Sequence, residues 1–208
     1  MGIDMPTRIR LRWLWLGLPA ALACTDSTAA DAGEERPPAA LNIVRLPTNH
    51  RPFFNTEVSF YAKVGRDTEG IIYFLNDQGG PGDKFARLNI EARSLAARPD
   101  GSGFGANDSI LITMRIVDPV EIQVELLPSG LKFTAAHPGE LKLDYKQNAG
   151  DLNGDGKHDS ADDQIEQRLS IWRQEKVGDP FVKIGSFKSD DGELKADLSG
   201  FSRWAIAY

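Results

Sequence analysis

Ser109-Ile-Leu-Ile-Thr-Met-Arg-Ile116 carries apolar side chains at 110, 112, 114 and 116. A period of two puts alternate side chains on one side of an extended chain, so the segment reads as a strand with one face in a core. The pattern recurs on both sides of it. Val58, Phe60, Ala62 and Val64 alternate in EVSFYAKV; Val120, Ile122, Val124 and Leu126 in VEIQVEL; Leu131 and Phe133 in LKF; Leu141, Leu143 and Tyr145 in LKLDY. Turn signals separate these runs: Gly65-Arg66-Asp67, residues 77–83 (DQGGPGD), residues 99–103 (PDGSG), Asp118-Pro119, Pro128-Ser129-Gly130 and His137-Pro138-Gly139. Short alternating strands broken by such turns predict an all-β fold, an antiparallel β-sandwich with one side of each sheet in the core. Only Ser160 to Arg168, with Ile165 and Leu169 four apart, reads as a short helix.

That helix leaves a second informative stretch, Asp151-Leu-Asn-Gly-Asp-Gly-Lys-His-Asp-Ser-Ala-Asp162. Oxygen-bearing side chains stand at loop positions 1, 3, 5, 9 and 12 (Asp151, Asn153, Asp155, Asp159 and Asp162). The Lys157 carbonyl falls at position 7 and Gly156 at position 6. This is EF-hand spacing for a hard cation, which takes six to eight oxygens from a chain that reverses at a residue tolerant of positive φ. Ca²⁺ is the expected ion, with these six residues as the expected metal ligands. An Asn/Asp/Gly-rich surface turn holding no metal is the alternative. The loop resembles those of dockerin-type calcium modules, which also read D-x-N-x-D-G and close with Asp at position 12. It departs from them in having His158 at position 8, no second copy and no helix before it. A single loop closed by a short carboxylate is expected to bind weakly, at roughly 10⁻⁴ M or somewhat tighter. Asp163 is placed to support or replace Asp162.

At the start of the chain Arg8, Arg10 and Arg12 precede the apolar run Trp13 to Ala23, which is followed by Cys24, the only cysteine. Residues 1–23 read as a signal peptide, too short in its apolar part for a permanent membrane helix. Ala21-Leu22-Ala23-Cys24 resembles the lipobox of bacterial lipoproteins, although Ala21 stands where leucine is usual. The resemblance implies a lipidated Cys24, attachment to the membrane through that lipid and, because Thr25 rather than Asp follows, delivery to the outer membrane. Cleavage at an A-x-A-like site and simple secretion is the alternative. Residues 24–40 are small, polar and acidic with a Pro pair, the composition of a disordered tether. Residues 41–208 are the size of one domain, and without a second cysteine no internal disulfide supports it.

A net charge of −6 without a Lys/Arg cluster excludes a nucleic-acid partner. His50, His137 and His158 are scattered, with no zinc spacing, and no G-x-S-x-G elbow, P-loop or strand-borne G-x-G-x-x-G is present; Gly101 to Gly105 reads as a loop.

Over residues 109–208 a second resemblance covers more of the chain. PSGLKF (128–133), ELKLDY (140–145), LSIWR (169–173), FVKIGSF (181–187) and LKADLSGFSRWAIAY at the end follow the order of the ZU-five type of β-sandwich, named for zonula occludens and netrin-receptor proteins, in its bacterial exported form. It implies that residues 147–168, with the calcium loop, are an insertion between two strands, and that Trp172 and Trp204 are core aromatics. Some relatives of that family cleave themselves at an H-F-S step, the hydroxyl attacking the preceding carbonyl and the histidine taking the proton. Here Gly200-Phe201-Ser202 keeps the hydroxyl and replaces the histidine by glycine, so self-cleavage at Phe201-Ser202 is the disfavoured alternative. The main expectation is a non-enzymatic, membrane-tethered, calcium-binding module with an unidentified protein or polysaccharide partner.

Overall fold

The structure is a computed structural model that describes residues 1–2, 33–148, 150–190 and 192–208. Most of the expected signal peptide, Cys24 and the first part of the expected tether lie outside the described residues. Strands β1 (Glu35–Arg36), β2 (Glu57–Lys63), β3 (Thr68–Leu75), β4 (Pro81–Ile90), β5 (Leu95–Ala97), β6 (Ser109–Ile116) and β7 (Gln123–Leu127) form the first half. The second half holds β8 (Lys132–Phe133), β9 (Gly139–Asp144), α1 (Ser160–Glu166), β10 (Ser170–Gln174), β11 (Phe181–Ile184), β12 (Ser186–Asp190), β13 (Glu193–Leu198) and β14 (Arg203–Ala207).

A seven-stranded sheet in the order β1-β11-β10-β14-β7-β6-β2 packs on a five-stranded sheet in the order β12-β13-β9-β4-β3, and β5 and β8 form a small ribbon. All pairings are antiparallel. The fold is the all-β sandwich that the alternating runs predict. Ile112 and Met114 of β6, Val124 and Leu126 of β7, and Trp204 and Ile206 of β14 form one inner face. Ile72 and Phe74 of β3, Leu88 of β4, Leu141 and Leu143 of β9, and Ala196 and Leu198 of β13 form the other, and all are buried. At one end Phe53, Phe74 and Phe85 meet as an aromatic cluster with centroids 4.9–5.5 Å apart, stacked or edge-on as the ring quadrupoles favour.

Two boundaries differ from the sequence reading. Residues 77–83 hold a shorter turn than expected, because β4 starts at Pro81, a first-strand position where the missing N–H is harmless. Asn76 closes that turn: its Oδ1 accepts the N–H groups of Gln78 and Gly80. The end of the tether also joins the fold. Glu35 and Arg36 pair with Val182 and Phe181, Gly33 donates to the Lys183 carbonyl, and Arg36 lies 5.4 Å over the Trp172 ring. Composition concealed this because the contacts are made by backbone and by one cation–π stack rather than by apolar side chains.

The chain after β1 then folds against the outer face of the large sheet. Leu41 joins Trp172, Phe181, Ala205 and Ala207 in a small second core there. Residues 42–46 run between the ends of β14 and β7, with Val44 N–H donating to Ile206 O and Ile122 N–H donating to Val44 O. Trp172 and Trp204 are both core residues, on opposite faces: Trp204 inside the sandwich, Trp172 under the N-terminal segment, its Nε1 donating to Ala207 O at 3.1 Å.

Candidate metal centre

The stretch from 145 to 169 leaves β9 in the small sheet and enters β10 in the large one, so the loop crosses from one layer of the sandwich to the other. It is pinned at several points. Leu152, Ile165 and Leu169 are buried in the main core, Asn148 Nδ2 donates to Arg45 O, the Tyr145 hydroxyl donates to Glu166, and Lys188 reaches Glu166 at 2.6 Å. The Lys188 ammonium, then the Tyr145 hydroxyl, hold the Glu166 carboxyl below its ordinary range against the opposing cost of partial burial.

Between those anchors the chain wraps around Asp151. Its Oδ1 accepts N–H bonds from Gly154 at 2.8 Å and Asp155 at 3.1 Å, and its Oδ2 accepts from Gly156 at 2.9 Å. Gly154 and Gly156 sit at φ of +78° and +84°, a region costly for any residue with a Cβ. Gly156 therefore makes the reversal that its position in the motif requires. Asn153 Oδ1 accepts from Asp155 N, and Asp155 Oδ1 accepts from Lys157 N. These are nested Asx turns, each short side chain closing the backbone two residues ahead.

Asp159 and Asp162 have a double position. Asp159 is the N-cap of α1, its carboxylate accepting from Ala161 N, and Asp162 at the third helical position returns the bond by accepting from Asp159 N at 3.0 Å. This capping box starts the helix where the sequence places it. Asp162 also accepts from Leu152 N at 2.8 Å and Asn153 N at 3.1 Å, so one side chain ties the start of the loop to its end. It is 1% exposed. The Asp159 N–H and the other two donors hold its carboxyl below the ordinary range, although burial opposes this.

All six predicted ligand positions thus lie on one closed loop, with Asn153 to Asp159 exposed and Asp162 beneath them. Their donors are hard oxygens: four carboxylates, one carboxamide and one backbone carbonyl. That donor set fits Ca²⁺ and suits neither zinc nor a softer ion. Among the described residues no three His, Cys, Asp or Glu side chains converge as a metal-holding group. The carboxylates are turned instead onto the loop's own N–H groups: Asp151 Oδ1 and Asp162 Oδ1 each accept two of them, while Asp151 Oδ2 and Asp162 Oδ2 each accept one and retain a lone pair. His158 stands 3.6 Å from Asp163, outside the turn.

The other predicted sites separate clearly. Cys24 is outside the described residues. Ser202 is buried and its Oγ accepts from Arg173 Nε at 3.0 Å, a guanidinium that never serves as a base at neutral pH. His50 bonds the Arg51 carbonyl and packs by Phe53, and His137 bonds Glu91, so the histidines occupy three unrelated places.

Sequence spacing did not reveal a cleft of about 1180 Å³ that opens beside the loop, lined by Asp151 and Asn153 together with Arg45, Gln123, Gln174 and Phe181, among others. It is assembled from segments distant in the chain, and only the polar positions of VEIQVEL hinted at an occupied outer face. Compared with family models, curated proteins and solved structures, the chain matches none.

Proposed function

We propose that this chain is an exported, lipid-anchored β-sandwich of ZU-five type that binds one Ca²⁺ in the 151–162 loop and serves as a non-enzymatic structural or interaction module of a bacterial cell envelope. The observation that carries the reading is the loop: six oxygen donors at EF-hand spacing, on a backbone that reverses at Gly156 and enters a capped helix at Asp159. Asp151, Asn153, Asp155, Asp159, Asp162 and the Lys157 carbonyl would hold the ion. Bound there, Ca²⁺ supplies positive charge to carboxylates that otherwise repel one another at short range. The anchor rests on the basic residues, apolar run and cysteine of the first 24 residues.

Calorimetry on residues 24–208 is expected to show a single Ca²⁺ site, abolished by Asp151→Ala and by Asp155→Ala, with Mg²⁺ competing poorly because it demands a tighter octahedron. Binding that survives both substitutions removes the metal assignment. In cells the protein is expected in the detergent phase after phase separation, and Cys24→Ser is expected to move it to the aqueous phase. An unmodified Cys24 in a soluble protein shows secretion instead.

A further inference from the structure

We propose that the cleft on the outer face of the large sheet, beside the calcium loop, is a binding site for a polysaccharide segment. It goes beyond the calcium reading and rests on that reading for one wall only, where Asp151 and Asn153 line it.

The floor carries the argument. In register, β14 lies between β10 and β7, with Gln174 opposite Arg203 and Ala205 opposite Gln123. Gln123 and Gln174 therefore project from the same outer face, two strand spacings across and two residues along, roughly 12 Å apart. Both line the cleft and both are more than nine-tenths buried, at 6% and 4% exposed. Gln174 uses Nε2 to donate to Asp179 O at 2.9 Å. The Gln123 carboxamide has no hydrogen-bond partner among the described residues, yet it is not one of the sealed, unsatisfied groups of the interior, so it faces the open space of the cleft. A buried carboxamide left without a partner costs free energy unless water or a ligand supplies one.

The walls select the chemistry. Arg45, 67% exposed at its side chain and only 4.0 Å from Glu121 at its nearest, offers a guanidinium fork at the rim. Val177, which is exposed, and Tyr208, which is half-buried, give apolar surface. Carboxamides donate and accept at once, as sugar hydroxyls do, and the C–H faces of sugar rings pack on such apolar patches. The volume exceeds that of pockets enclosing a single small ligand, which favours an extended occupant. A peptide is less well served, because β7, β14 and β10 are interior strands whose backbone groups are already paired and offer no edge for strand addition.

The test is affinity electrophoresis of the full chain in native gels containing xylan, mixed-linkage β-glucan, mannan or polygalacturonate. At least one is expected to retard the protein. Gln123→Leu, which keeps the side-chain size, and Arg45→Ala, at an exposed position that does not threaten folding, are each expected to weaken that retardation about tenfold. Phe187→Ser, on β12 of the other sheet, is expected to leave it unchanged. Retardation by none of the four, or retardation undiminished in both cleft variants, overturns the proposal. Calcium titration of the same samples keeps the two readings apart: normal Ca²⁺ binding without polysaccharide binding removes the cleft alone, and polysaccharide binding without Ca²⁺ binding removes the metal site alone.

Discussion

Replacing Gly200 by alanine is expected to destabilise the domain by about 3 kcal/mol, the upper end of the ordinary cost of forcing an extra methyl into a packed interior. A Cβ at this position stands 2.5 Å from the Leu131 carbonyl oxygen, closer than carbon and oxygen approach without a bond. The carbonyl is not free to swing aside, because it accepts the Phe201 N–H at 3.0 Å, and Phe201 is packed edge-on against Phe133 at 5.3 Å. For a domain of this length the loss corresponds to a fall in melting temperature of about 6–12 °C. Gly185, with open space where its Cβ would be, is the control, and Gly185→Ala is expected to melt close to the parent. A Gly200→Ala protein that melts within about 2 °C of the parent shows that the strand relaxes at little cost and that the approach is not tight. The same geometry bears on self-cleavage. Gly200→His, which writes the H-F-S step into the sequence, adds a ring where a methyl already collides, so unfolding rather than chain scission is expected from it.

The sandwich was legible wherever one face of a strand meets water. In β6 and β9 the period of two holds: Ile112, Met114, Leu141 and Leu143 are buried, Ile110 and Ile116 pack partly buried against the core at the two ends of β6, and only the exposed Leu111 is apolar on the outer side. The pattern fails at β3, where Ile71, Tyr73 and Leu75 are half-buried while Ile72 and Phe74 are fully so, which makes GIIYFL a continuous apolar run. It fails again in β4. There the pairing with β3 shifts register near Tyr73, and Phe85 and Ala86, neighbours in sequence, are both buried. Gln123 and Glu125 of β7 sit on the polar side of their strand as the period requires, but they are covered: Glu125 by ion pairs with Arg115 and Arg203, Gln123 by the walls of the cleft. Burial by neighbours from elsewhere in the chain leaves no local signature. The 151–162 loop was legible as a closed turn for the opposite reason. All its donors lie within twelve residues, so spacing alone states the geometry. What spacing did not state is how the loop is fixed. Leu152 at position 2 and Ile165 on α1 enter the main core, so the insertion is more than a peripheral ornament on the sandwich.

That anchoring shapes the expected response to calcium. The core strands do not pass through the loop, and the loop has its own network of side-chain to backbone bonds, so the domain is expected to remain folded in chelator by circular dichroism. Amide exchange is expected to be fast across the exposed 153–158 segment and slow at its buried ends. Free Ca²⁺ at about ten times its Kd stabilises the bound form by roughly 1.4 kcal/mol, so exchange in 150–168 that passes through a metal-free state is expected to slow about tenfold. Two substitutions separate the metal from the scaffold. Asp155→Ala removes one acceptor, that of the Lys157 N–H, and is expected to leave exchange in chelator nearly as it was while abolishing the response to Ca²⁺. Asp162→Ala leaves the N–H groups of Leu152, Asn153 and Asp159 without their acceptor beneath the loop, and it is expected to speed exchange across 150–168 even in chelator. A ligand with no scaffold role would behave like Asp155 in this experiment. If the two variants exchange alike in chelator, Asp162 does not tie the ends of the loop together. If chelator unfolds the whole domain, the loop is a keystone of the sandwich, and if Ca²⁺ leaves exchange in 150–168 unchanged, the loop is an Asx-turn surface segment that holds no metal.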